Sequence, residues 1–66
     1  MRTLKVIELL AESDKSWEDA TQNAVDQAAQ TVRNIASVYV KDSSAVVKDN
    51  KIVSYRVNVK VSFAVE

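Results

Sequence analysis

From Val53 onward the odd positions Val53, Tyr55, Val57, Val59, Val61, Phe63 and Val65 are apolar, and Ser54, Arg56, Asn58, Lys60 and Ser62 between them are polar. A period of two is the mark of a strand with one buried face, so Ile52 to Glu66 is predicted as a long strand. A different period runs from Ser16 to Ala36. There Trp17, Ala20, Ala24, Val25, Ala28, Ala29, Val32, Ile35 and Ala36 recur at spacings of three and four, which places them on one stripe of an amphipathic helix. Most of the stripe is alanine, so the helix axis can lie close to a sheet, with Trp17, Val32 and Ile35 as larger anchors. Ser16 is the expected N-cap, Asp19 stands three residues on as the acid of a weak capping box, and Glu18 and Asp19 suit the positive helix end. Thr21 interrupts the stripe, and a hydroxyl bond back to the Trp17 carbonyl would satisfy it.

Thr3 to Leu10 reads as a first strand that is apolar on both faces, with Leu4, Val6 and Leu10 on one and Ile7 and Leu9 on the other. A single helix covers only one of them, so the other face calls for a partner subunit. Ala11 to Lys15 is a polar connection in which Glu12 and Asp14 are expected as solvated charges. Ser37 to Val47 is a second strand whose alternation is lost across Asp42 to Ser44. Lys48 to Lys51 forms a turn around Asp49 and Asn50, residue types that tolerate positive φ. A two-residue loop there sets Val61 opposite Val38, Val59 opposite Val40, Lys60 opposite Tyr39 and Ser62 opposite Ser37.

With the third strand between the first two, the sheet is entirely antiparallel with the helix on one face, although the pattern alone leaves other strand orders open. The valine face meets the helix. Ser37, Tyr39, Lys41, Ser54, Arg56, Asn58, Lys60 and Ser62 occupy the other face. A strand of this length spans about 46 Å and a helix of this length about 30 Å, so Val46, Val47, Ile52 and Val53 at the hairpin tip are left for neighbours.

Composition narrows the function classes. The 66 residues form one expected domain, residues 1–66, of a size at which a single core is marginal, and there is no cysteine to cross-link it. Oligomerisation is the remaining route to stability. Nine basic and nine acidic residues cancel, which leaves no electrostatic footprint for nucleic acid or an anionic membrane. With no long apolar run or signal-peptide pattern, a soluble, cytoplasmic protein is expected. The chain has no histidine, cysteine or glycine, so no ordinary acid-base pair, nucleophile motif or phosphate-cradling loop is present and an enzyme is the least expected class. Carboxylates are plentiful enough for a divalent cation at a subunit junction, but no ligand spacing names the residues.

KVIEL in the first strand, Ser13 in the connection, SWEDATQNAVDQAAQTVRNI as the helix, YV in the second strand and the closing run SYRVNVKVSFAVE resemble the dodecin family of small flavin-binding proteins. The resemblance covers nearly the whole chain. It implies an α+β fold of β-α-β-β order, a three-stranded antiparallel sheet curled around one helix, assembled as a homododecamer. It also implies a non-enzymatic protein that binds and stores a small ligand, riboflavin or FMN.

The resemblance also marks where this chain departs. Flavin-binding dodecins carry a tryptophan early in the second strand that stacks on the ring and a glutamine in the third strand that hydrogen-bonds it; Ser37 and Arg56 stand at those positions. Ala11 and Glu12 replace a glycine-threonine pair before Ser13. Flavin binding is therefore expected to be weak. Trp17 belongs to the helix stripe and is expected in core or interface packing. Ser37, Arg56, Asn58 and Lys60 are the candidate ligand residues: Arg56 and Lys60 for an anionic group, Ser37, Asn58 and Ser62 as hydrogen-bond partners. The alternative is a structural or divalent-ion-binding dodecameric assembly that no longer binds flavin.

Overall fold

The computed structural model describes residues 3–65, ordered β1 (Thr3–Ser13), α1 (Trp17–Ala28), β2 (Ile35–Lys48) and β3 (Lys51–Val65). β3 lies between the other strands and both pairings are antiparallel, the one of the strand orders left open by the sequence pattern that makes the sheet entirely antiparallel. Glu66, which the alternation assigns to the third strand, lies outside the described residues.

The start of α1 follows its capping residues. Ser16 Oγ accepts from the Asp19 amide at 3.0 Å, and Thr21 Oγ1 donates to the Trp17 carbonyl at 2.9 Å. Its end does not follow the apolar spacing. The helix stops at Ala28 rather than Ala36, Gln30 and Thr31 close a tighter turn onto the Gln27 and Ala28 carbonyls, and Asn34 takes φ 62. Asparagine tolerates this left-handed conformation better than most residues, and it redirects the chain into β2. Val32 and Ile35 still pack against the core, but from the turn and from the first residue of β2. The stripe identifies the buried Ala20, Ala24 and Ala28, but its members Trp17, Ala29 and Ala36 are exposed, and it overstates the length of the element that carries it.

Ala20, Ala24 and Ala28 are buried on Val57, Val59 and Val61, with Ile7, Leu9, Ala11 and Val38 around them. Four-residue spacing on the helix meets two-residue spacing on the strand. The small alanines let α1 settle over β1 and β3, with little contact to β2. Twelve helical residues reach about 18 Å, while the molecule is 50 Å long. Val47, Ile52 and Val53 at the hairpin tip accordingly remain exposed.

β1 continues through Glu12 and Ser13, beyond the expected end at Leu10. Ser13 is buried; its Oγ donates to Asp19 Oδ2 at 2.6 Å and accepts from the Lys15 amide at 2.9 Å. The strand-to-helix connection hangs on this hydroxyl. Ser13→Ala orphans the Lys15 amide and a bond to a carboxylate, and is expected to lower stability by about 1–2 kcal/mol. A urea midpoint equal to that of the parent would show that water replaces both bonds.

The hairpin register agrees with expectation at its two ends and departs in the middle. Asp49 and Asn50 adopt φ 53 and φ 64 in the turn, and Val38, Tyr39 and Val40 face Val61, Lys60 and Val59. Between these ends Val53 is an extra residue on β3 and Lys41 an extra residue on β2, so Asp42–Val46 pair one position out of phase with the flanks. The two bulges cancel each other. A further shift at Ala36 lets β2 begin beside Phe63.

Candidate functional site: the open face of the sheet

β1 and β3 pair without a break, so each polar residue of β3 has a definite neighbour on β1. Across the three strands, successive rows read Val6–Ser62–Ser37, Glu8–Lys60–Tyr39, Leu10–Asn58–Asp42 and Glu12–Arg56–Ser44. All of them lie on the face away from α1. Ser37, Arg56, Asn58 and Lys60 are thus brought to one surface, as their parity predicts.

They do not form one compact pocket within a single chain. Ser62, opposite Ser37, is six residues from Arg56 along β3, a separation of about 20 Å in a strand. Ser37 and Arg56 therefore do not meet at one point within a single chain. The Ser37 and Ser62 hydroxyls hydrogen-bond each other.

The cations of this face are largely matched by acids. Arg56 Nε donates to Glu12 Oε1 at 2.5 Å, so Glu12 is a paired residue rather than the freely solvated charge expected from the connection. Lys41 Nζ lies 3.6 Å from Glu8 Oε2. Both pairs are about half exposed, and such pairs contribute about 0–1 kcal/mol. Lys60 makes no ion pair among the described residues, because the acid directly across from it is held by Lys41.

Apolar side chains stand among these groups. Val6 is 58% exposed and Leu10 72%, and Tyr39 is 65% exposed opposite Lys60. The alternation places Tyr39 on this face, although it is not one of the four candidate ligand residues named from the sequence. Trp17, by contrast, sits on the helix side: it meets Tyr55 edge to face with ring centroids 4.8 Å apart and donates from Nε1 to the Ser44 carbonyl at 2.8 Å. It ties the helix start to the shifted part of β2. A separate cleft of about 230 Å³ lies between β1 and α1, beside Leu9, Ala11, Asn23 and Gln27. Among the described residues no group of three or more His, Cys, Asp or Glu side chains is arranged to hold a metal ion. Among the described residues no helix is long and apolar enough to cross a membrane.

A family model described as Dodecin matches residues 3–66. A calcium dodecin from Mycobacterium tuberculosis is 33% identical over 63 residues, spanning 96% of this chain and 89% of that relative. Among solved structures, the dodecin from Streptomyces coelicolor superposes with a TM-score of 0.92 at 28% identity, covering 98% of this chain and 93% of its own. The crystal structure of the calcium-chelating antigen calcium dodecin from M. tuberculosis, described as having a novel calcium-binding site, gives a TM-score of 0.83 at 31% identity, with 97% and 91% coverage.

Proposed function

The chain belongs to the dodecin family, and from that membership we propose that it is a non-enzymatic small-ligand-binding and storage protein that works as a homododecamer and holds flavin weakly. The observation that carries this reading is the open face of the sheet, where Leu4, Val6, Leu10 and Tyr39 are exposed among serine, asparagine and lysine. Such a surface suits neither bulk water nor a dry core. It fits a shared, partly enclosed space in which apolar groups meet a ring and polar groups meet its edges. Weak affinity follows from Ser37, which offers a hydroxyl already bonded to Ser62 in place of a stacking ring.

Light scattering is expected to show a closed high-order oligomer, and riboflavin or FMN fluorescence to be quenched in a saturable but weak titration. A folded monomer at micromolar concentration would remove the first half of the reading. Flavin fluorescence that stays unquenched, with no ring compound retained on dialysis, would remove the second.

A calcium-binding reading is favoured by the relative at 33% identity that bears calcium in its name. In this chain Glu8 and Glu12 are both engaged by cations. A calcium site would therefore draw carboxylates from more than one copy, and elemental analysis of the dialysed oligomer together with calcium calorimetry distinguishes it from flavin binding.

A further inference from the structure

We propose that Tyr39 is the aromatic platform of the ligand site, and that the ligand is a planar conjugated ring bearing an anionic group, stacked on the phenol with its anion against Lys60. This rests on the ligand-binding reading above and adds the residue and the chemistry.

The chain has one tryptophan, two tyrosines and one phenylalanine. Trp17 and Tyr55 hold each other on the helix side, and Phe63 is half-buried there between Lys5 and Ile35. Tyr39 has no ring partner among the described residues and stands on the open face. A ring on a sheet surface presents a π face that accepts another planar ring without regard to its substituents.

Its neighbours define what else the ligand carries. Lys60 is directly opposite Tyr39, and directly opposed residues bring their Cβ atoms to within about 5 Å. Glu8, across from Lys60 on its other side, is drawn to Lys41, which leaves the Lys60 ammonium for an incoming anion. The next row, about 7 Å along the strands, supplies the Ser37 and Ser62 hydroxyls, and the row on the other side supplies the Asn58 amide. Stacking surface, cation and edge hydrogen-bonding groups are therefore adjacent within one chain. Arg56, two rows from Lys60 and paired with Glu12, is not needed.

Riboflavin and FMN are suitable probes because they share a ring and differ by a phosphate. On the native oligomer FMN is expected to bind more tightly than riboflavin. Tyr39→Ala should weaken both by about tenfold or more, Tyr39→Phe should restore them, and Lys60→Gln should abolish the FMN advantage while leaving riboflavin nearly unchanged. Should Tyr39→Ala disrupt assembly, Tyr39→Leu against Tyr39→Phe decides the matter, since leucine keeps apolar bulk without a π face. Equal binding by those two variants, or unchanged binding in an intact Tyr39→Ala oligomer, overturns the inference and leaves the ligand-binding reading standing. An FMN advantage that survives Lys60→Gln overturns the anion assignment. Failure of the native protein to bind either flavin overturns the ligand-binding reading itself, and the inference with it.

Discussion

Val59→Asp and Val61→Asp are each expected to yield a chain that does not fold, and Asn58→Lys one that folds like the parent. Val59 and Val61 are fully buried beneath the alanine stripe of α1. Each substitution forfeits about 1.5–3 kcal/mol of apolar burial and adds the larger cost of a carboxyl group with no partner. A domain this small has a net stability of only about 5–15 kcal/mol, so the loss takes most or all of it. Asn58 lies between them in sequence but on the open face, opposite Leu10 and Asp42. A lysine there gains an acidic neighbour. Asn58→Asp instead sets two carboxylates directly against each other and is expected to cost up to about 1 kcal/mol. Far-UV circular dichroism and soluble yield separate these outcomes. A native spectrum from either buried variant would mean that α1 does not seal the valine face.

Ser37→Trp combined with Arg56→Gln is expected to tighten flavin binding at least about tenfold. One added stacked ring contributes on the order of 1–3 kcal/mol, or roughly one to two decades of affinity. Ser37 is exposed and its hydroxyl is bonded only within the open face, so an indole there displaces no core side chain. Replacing Arg56 frees Glu12 from an exposed ion pair, a change of small consequence for stability. Because the two positions are far apart within one chain, the tryptophan alone should supply most of the gain, and the amide should add to it only in the assembled oligomer. Fluorescence quenching measures the affinity and light scattering the assembly. A double variant that stays oligomeric without binding flavin more tightly would show that Ser37 and Arg56 do not line the flavin site.

Several features were legible because they are local. The alternation along β3 identifies Val57, Val59 and Val61 as buried and Arg56, Asn58, Lys60 and Ser62 as lying on the other face, since successive side chains of a strand point to opposite sides whatever the rest of the chain does. Ser16 and Thr21 declare their hydrogen bonds for the same reason, each reaching only three or four residues away. The connection order allows β3 to lie between its neighbours but leaves other orders open, and the tertiary structure decides among them. The candidate residues of the open face inherit their common surface from that parity.

What only the tertiary structure decided depends on more than one element at a time. Nothing in β3 signals that Val53 is bulged, because its own alternation continues; only the lost alternation across Asp42 to Ser44 marks the place where β2 gives up its phase. That shift sets Asp42 opposite Asn58, where an unbroken hairpin register would set Lys41, and so reverses the sign of the charge the amide faces. The pairing of Arg56 with Glu12 and of Lys41 with Glu8, and with it the freedom of Lys60 beside Tyr39, arises where three strands are brought side by side. The helix likewise ends at Ala28 because the chain must turn into β2, a demand imposed by the sheet; the apolar spacing runs on to Ile35, because core packing selects the same residue types from a helix, a turn or a strand.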